Sequence, residues 1–199
     1  MQAKWRIRRS SFSTTMADGT SGRVTFIRAK RHAYEYHAET LWRIRPTQRE
    51  LAEITRSPED LARWWPASFL EATKTQHTGD FVPGLEACCH MKGWLPHTMV
   101  FWGRIEDVVL GEKFSVQLWG DLEGRMDCNV NQEGDYCRIR FELRVRVSKP
   151  IVRRLSFVLK PLFYSNHVWL MMRGMRSVKQ ELARRNNEIP LDTRGPAIS

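Results

Sequence analysis

Residues 136–147, "YCRIRFELRVRV", alternate without a fault. Cys137, Ile139, Phe141, Leu143, Val145 and Val147 fall on one side; Arg138, Arg140, Glu142, Arg144 and Arg146 fall on the other. Successive side chains of a strand point to opposite faces, so a period of two predicts a strand with one apolar and one charged face. Such a strand belongs in an antiparallel sheet that is covered on one side and wet on the other. The arginine-rich face reads first as solvated surface, with an anionic partner as the alternative. Something apolar must cover the other face, and the segment just downstream is suited to do so.

That segment, 150–185, carries the longest helical pattern in the chain. Pro161 is expected to break or kink it. Beyond the proline, steps of 100° gather Tyr164, His167, Val168, Met171, Gly174, Met175, Val178 and Leu182 on one face. Asn166, Arg173, Ser177, Gln180 and Arg184 gather on the opposite, solvent side. A membrane span is excluded, because Lys160, Pro161, Ser165, Asn166 and His167 interrupt the apolar run between Arg154 and Arg173. The helix therefore packs as core or walls a pocket, and His167 sits on the face that decides between them.

The rest of the chain supplies more strands. "YEYHAETLWRI" (34–44) puts Tyr36, Ala38, Thr40, Trp42 and Ile44 on one face and His37, Glu39 and Arg43 on the other. Two short helices follow, opened by Pro46 and Pro58 and closed by Pro66. They bury Leu51 and Ile54, then Leu61, Trp64 and Trp65. Six strands separated by turn signals fill residues 68–147, the last of them the strand described first.

Charge sorts the chain into parts. The net charge is +10, but residues 1–31 hold eight basic residues against Asp18 alone. With +7 there, the remainder is close to balanced, and no helix-turn-helix or aromatic-basic signature accompanies it. Nucleic-acid binding is not expected. The basic, Ser/Thr-rich stretch 1–31 is expected to be a disordered extension, residues 32–186 the folded domain and 187–199 a C-terminal tail. The alternatives for the N-terminal stretch are import into an organelle if the source is eukaryotic, or residues upstream of a true start at Met16; a cytoplasmic location is the first expectation. Cys88, Cys89, Cys128 and Cys137 form no C-x-x-C pair, so small apolar side chains in a reducing compartment are expected rather than a metal site.

One strand, two short helices, six strands and a long C-terminal helix is an order that resembles the helix-grip fold of the START-like SRPBCC superfamily, in particular its polyketide cyclase/dehydrase and lipid transport-like group. The resemblance is carried by Trp42–Pro46, "PEDLARWWP" (58–66), Gly84, "GDLEG" (120–124) and "NHVWLMMRGMRSVKQEL" (166–182), and spans about residues 33–186. The last stretch matches a His, Met, Gly, apolar pattern, here His167, Met171, Gly174 and Val178. It implies an α+β fold in which a curved antiparallel seven-stranded sheet wraps the last helix and leaves a cavity between them.

The function implied is binding of a hydrophobic small molecule (a lipid, a quinone or a polyketide-like compound) with no cofactor; a cyclase/dehydratase enzyme is the alternative. Candidate ligand-binding residues are Trp42, Phe101, Phe141, Tyr164, His167, Met171 and Gly174, with Met91 and Met126 also facing inward. Each apolar one is equally at home in plain core. Gly174 is more telling, since a helix-interior glycine costs about 1 kcal/mol relative to alanine. His167 admits three roles: structural histidine, hydrogen-bonding partner of a ligand, or general acid/base. No G-x-S-x-G elbow, phosphate loop, H-E-x-x-H or dinucleotide fingerprint is present. The oligomeric state is not legible.

Overall fold

The computed structural model of the chain describes residues 9–27, 35–75, 81–148 and 150–188. One antiparallel sheet holds nine strands: β1 (Arg9–Thr15), β2 (Ser21–Ile27), β3 (Glu35–Ile44), β4 (Phe69–Lys74), β5 (Glu86–Lys92), β6 (Thr98–Val109), β7 (Lys113–Gly120), β8 (Leu122–Glu133) and β9 (Tyr136–Val147). Their spatial order is β1-β2-β3-β9-β8-β7-β6-β5-β4. Between β3 and β4 lie α1 (Gln48–Thr55), a 3-10 turn (Pro58–Asp60) and α2 (Leu61–Trp64); α3 (Pro150–Glu188) closes the chain.

The alternating segments form the centre of the sheet. β3 and β9 pair along their length, with Thr40 opposite Phe141 and Trp42 opposite Ile139. Their charged faces meet on the outside, where His37 Nε2 lies 2.8 Å from Glu142 and Arg140 Nη2 donates to Glu39 at 3.3 Å. The outer arginines among the described residues are largely matched by carboxylates across the strands, as expected of a solvated face.

Seven of the nine strands are those expected; the other two correct the reading of residues 1–31. β1 and β2 form a hairpin whose second strand pairs with β3, and β2 buries Val24 and Phe26 against α3 and its surroundings. The hairpin was hidden because only β2 has an apolar face, of three residues with Gly22 among them. Edge strand β1 is mostly polar, and its one apolar side chain, Phe12, is exposed. Residues 1–8, 28–34 and most of the expected tail 187–199 lie outside the described residues.

α1 starts differently from expectation. Thr47, not Pro46, caps it, in a reciprocal box where Glu50 N donates to Thr47 Oγ1 at 3.2 Å and Thr47 N to Glu50 Oε2 at 2.7 Å. Pro58 opens the 3-10 turn as expected.

Of the break or kink expected at Pro161, the break does not occur: α3 runs through it as one helix. Pro161 takes one N–H out of the helical ladder, and one turn on Ser165 Oγ donates to the Pro161 carbonyl at 3.0 Å. Asn166 and Ser177, placed by the helical wheel on the solvent side, are buried. A wheel shows one covered face, whereas the loop 93–97 wraps a second side of α3. Asn166 Oδ1 there accepts from Trp94 N at 2.9 Å and Leu95 N at 3.4 Å. Gly93 is required at this point, because a Cβ on it would stand 1.9 Å from that oxygen.

Candidate ligand-binding site

α3 leans on β2, β3, α1 and α2 rather than across the whole sheet. The concave face from β5 to β9 is thus left partly unfilled. A cavity of about 350 Å³ occupies the space, within the range of small-molecule sites. Its floor is Phe101, Leu118, Met126, Phe141 and Val145; its roof is His167, Leu170 and Met171 of α3, with Trp42 and the α2 tryptophans at the side. Phe141, Met126, Met91 and Met171 face inward between sheet and helix yet keep accessible surface, which a close-packed core would have removed.

The cavity extends between two apolar rims. At one, Val109 and Leu110 of the β6–β7 turn are exposed, Leu110 by 62%, beside Phe81 and Phe114 at a ring distance of 5.2 Å. At the other, His97 meets Phe163 at 6.0 Å, next to the exposed Trp94 and Leu162.

Apart from Glu112 and Lys113 at the β6–β7 rim, the polar groups in this wall are few and uncharged. Burial pushes the His167 imidazole down to about 4, so it is uncharged at pH 7. Its Nε2 has no hydrogen-bond partner among the described residues, and neither do Tyr36 Oη or the indole Nε1 of Trp42, Trp64 and Trp65. Burial, then the nearby Tyr164, raises the Tyr36 hydroxyl far above its ordinary value. Cys89, also in the wall, is pushed up to about 12 by burial and then by Cys88, which leaves it a thiol and a poor nucleophile. No three His, Cys, Asp or Glu side chains are grouped to hold a metal among the described residues. No described helix is long and apolar enough to cross a membrane.

No family model matches the sequence, and no curated protein matches it. Solved structures do match in shape. A START superfamily protein from Mycobacterium smegmatis superposes with a TM-score of 0.56 at 14% identity, over 72% of this chain and 97% of its own. Major latex-like protein 151 from Panax ginseng does so with 0.56 at 8% identity, over 74% and 97%. The fold is the START-like helix grip. Identities of 8 and 14% carry the fold and nothing of the ligand.

In this helix-grip fold α3 is the gripped helix, and five of the seven candidate residues meet at the cavity: Trp42, Phe101, Phe141, His167 and Met171. Tyr164 and Gly174 are placed elsewhere. Tyr164 stacks on Phe26 with ring centroids 4.0 Å apart, against the N-terminal hairpin that the sequence reading left out. Gly174 lies beneath Trp65, whose ring carbons come as near as 2.3 Å to where a Cβ would be. Its missing side chain admits an indole, not a ligand. Tyr36, Cys89, Leu118 and Trp65 line the cavity as well, and of these alternation in the sequence points only to Tyr36. Trp65, expected as an apolar contact of a short helix, also faces the cavity.

Proposed function

We propose that this domain binds a hydrophobic small molecule in the cavity between the sheet and α3, as a carrier or receptor without a cofactor. The observation behind the reading is a cavity of about 350 Å³ whose apolar side chains face inward and still keep accessible surface. Filling it would remove apolar surface from water at about 25 cal/mol per Å². A cyclase/dehydratase would need polar groups converging on its substrate. His167 has neither a carboxylate nor any other hydrogen-bonding partner at Nε2 among the described residues to orient it as an acid or base.

The test is titration with Nile red, an uncharged fluorescent probe, together with native mass spectrometry of protein purified from its own source. Saturable binding and an extractable apolar molecule are expected. Met126→Trp adds bulk from the floor of the cavity. It should abolish probe binding and leave the melting temperature within a degree or two of the parent, a shift of about 0.5 kcal/mol or less. A much lower melting temperature with no probe binding in the parent would show that the space is ordinary core.

A further inference from the structure

The chemistry of the cavity wall constrains the ligand more closely than its shape does. Among the described residues that line it, only Glu112 and Lys113 carry a charge. Both lie exposed at the β6–β7 rim, where Lys113 Nζ is already paired with Asp107 at 2.8 Å. Besides these, the lining holds the neutral imidazole of His167, the His97 ring, the hydroxyls of Thr55 and Ser57, and side chains that are apolar, aromatic, thiol or amide. An ionised head group drawn inside would shed its water and find no counter-charge.

The wall's unused polar atoms are mostly donors, with His167 Nε2, which donates or accepts according to its tautomer, as the exception. Indole Nε1–H only donates, and Trp42, Trp64 and Trp65 each bury one without an acceptor among the described residues. The Tyr36 hydroxyl is likewise buried and unpaired. These atoms have no accessible surface in the structure, so an oxygen meets them only if the side chain repacks on binding; Tyr36 and Trp65, which are not fully enclosed, are the two best placed to do so. A buried donor left without an acceptor costs stability, and an acceptor oxygen brought by the ligand would offset that cost.

We propose that the bound molecule is an uncharged hydrophobe bearing a hydrogen-bond acceptor oxygen, such as a ketone, ester or quinone carbonyl; this rests on the cavity reading above. Ionised fatty acids and amines are then poor ligands even when their chains fit.

The full-length chain, loaded with Nile red in salt sufficient to screen its surface charge, is challenged with three probes of matched chain length: methyl decyl ketone, dodecanoate and dodecylammonium. At neutral pH the ketone should displace the dye at about a tenfold lower concentration than either ion. Dodecanoate should gain as the pH falls toward its own carboxyl pKa and it becomes neutral, while the ketone does not change. Tyr36→Phe, with the dye's own affinity measured again in the variant because its carbonyl is an acceptor too, should weaken the ketone by roughly threefold to tenfold.

Either ion displacing the dye as well as the ketone overturns the requirement for an uncharged ligand. Unchanged ketone affinity in Tyr36→Phe overturns the role of the tyrosine as donor to the oxygen. If Nile red does not bind at all and none of the probes does, the cavity reading fails first and takes this inference with it.

Discussion

Two residues of α3 show how sequence and structure divide the work. Gly174 stands out in the sequence as a helix-interior glycine on the buried face, and it does mark a close approach. What approaches is Trp65, from a segment more than a hundred positions upstream, and no helical wheel contains that information. Gly174→Ala should therefore destabilise by about 1–3 kcal/mol, the strain of overpacking exceeding the gain in helix propensity. In a Trp65→Ala background the same change should be neutral or stabilising, and thermal unfolding of the four proteins measures the coupling. His167 makes a second, independent prediction. An ordinary unfolded histidine titrates near 6.5, and burial lowers this one to about 4 in the fold. The unfolded chain therefore binds the proton more readily. The contribution to stability is complete above pH 6.5, falls progressively below it and is lost as the pH drops through about 4. His167→Phe should flatten the stability profile between those limits, as read from urea midpoints at successive pH values. An unchanged slope would mean that the imidazole is not held neutral by burial.

At the scale of elements, α2 is held to α3 by charge. The Glu181 carboxylate, with a side chain only 4% exposed, accepts from Arg63 Nη1, Arg184 Nη2 and Arg185 Nε, each at 2.8 Å. Its pKa is driven far below the usual carboxylate range, first by Arg184, then by Arg185 and Arg63 against the opposing effect of burial. Arg63 belongs to α2, so this contact fixes the short helix whose tryptophans flank the cavity. Glu181→Gln keeps the shape and removes the charge. It should cost about 1–3 kcal/mol, at the lower end because the three guanidinium groups can return to water. Amide hydrogen exchange over 61–65 should rise with it; unchanged exchange there would show that α2 is held by its tryptophans alone. Element type was legible wherever one face is covered and the other wet, as in β3 and β9. The Thr47–Glu50 box was legible too, in "TQRE", but the prolines on either side drew the start signal away. Asn166 was not legible, since its burial depends on a loop folding back from residues 93–97.

Across the whole molecule, the main change from expectation is the N-terminal hairpin. Charge and Ser/Thr content made residues 1–31 look like a stretch unable to bury anything. That reasoning averages over the stretch, whereas burial depends on three positions within it. Val24 is wholly buried and Phe26 95% so, and Gly22 lets the thioethers of Met172 and Met175 pack close over β2. The turn that follows β1 is tied to the helix as well, through the ion pair of Asp18 with Lys179. Removing residues 1–27 would uncover Trp42, Thr40 and Ala38 along β3, strip Phe26 from Tyr164 and leave β3 as an open edge, prone to pairing with other chains. Loss of two fully buried side chains alone is worth about 3–6 kcal/mol, much of the total stability of an ordinary domain. The deletion should therefore yield protein that melts far lower or aggregates on expression. Val24→Asp, which keeps the full length and places a charge at the same buried position, should reproduce the effect. A truncated chain with the parent's melting temperature and solubility would show that the hairpin only rests on the grip fold. The expectation drawn from composition would then stand.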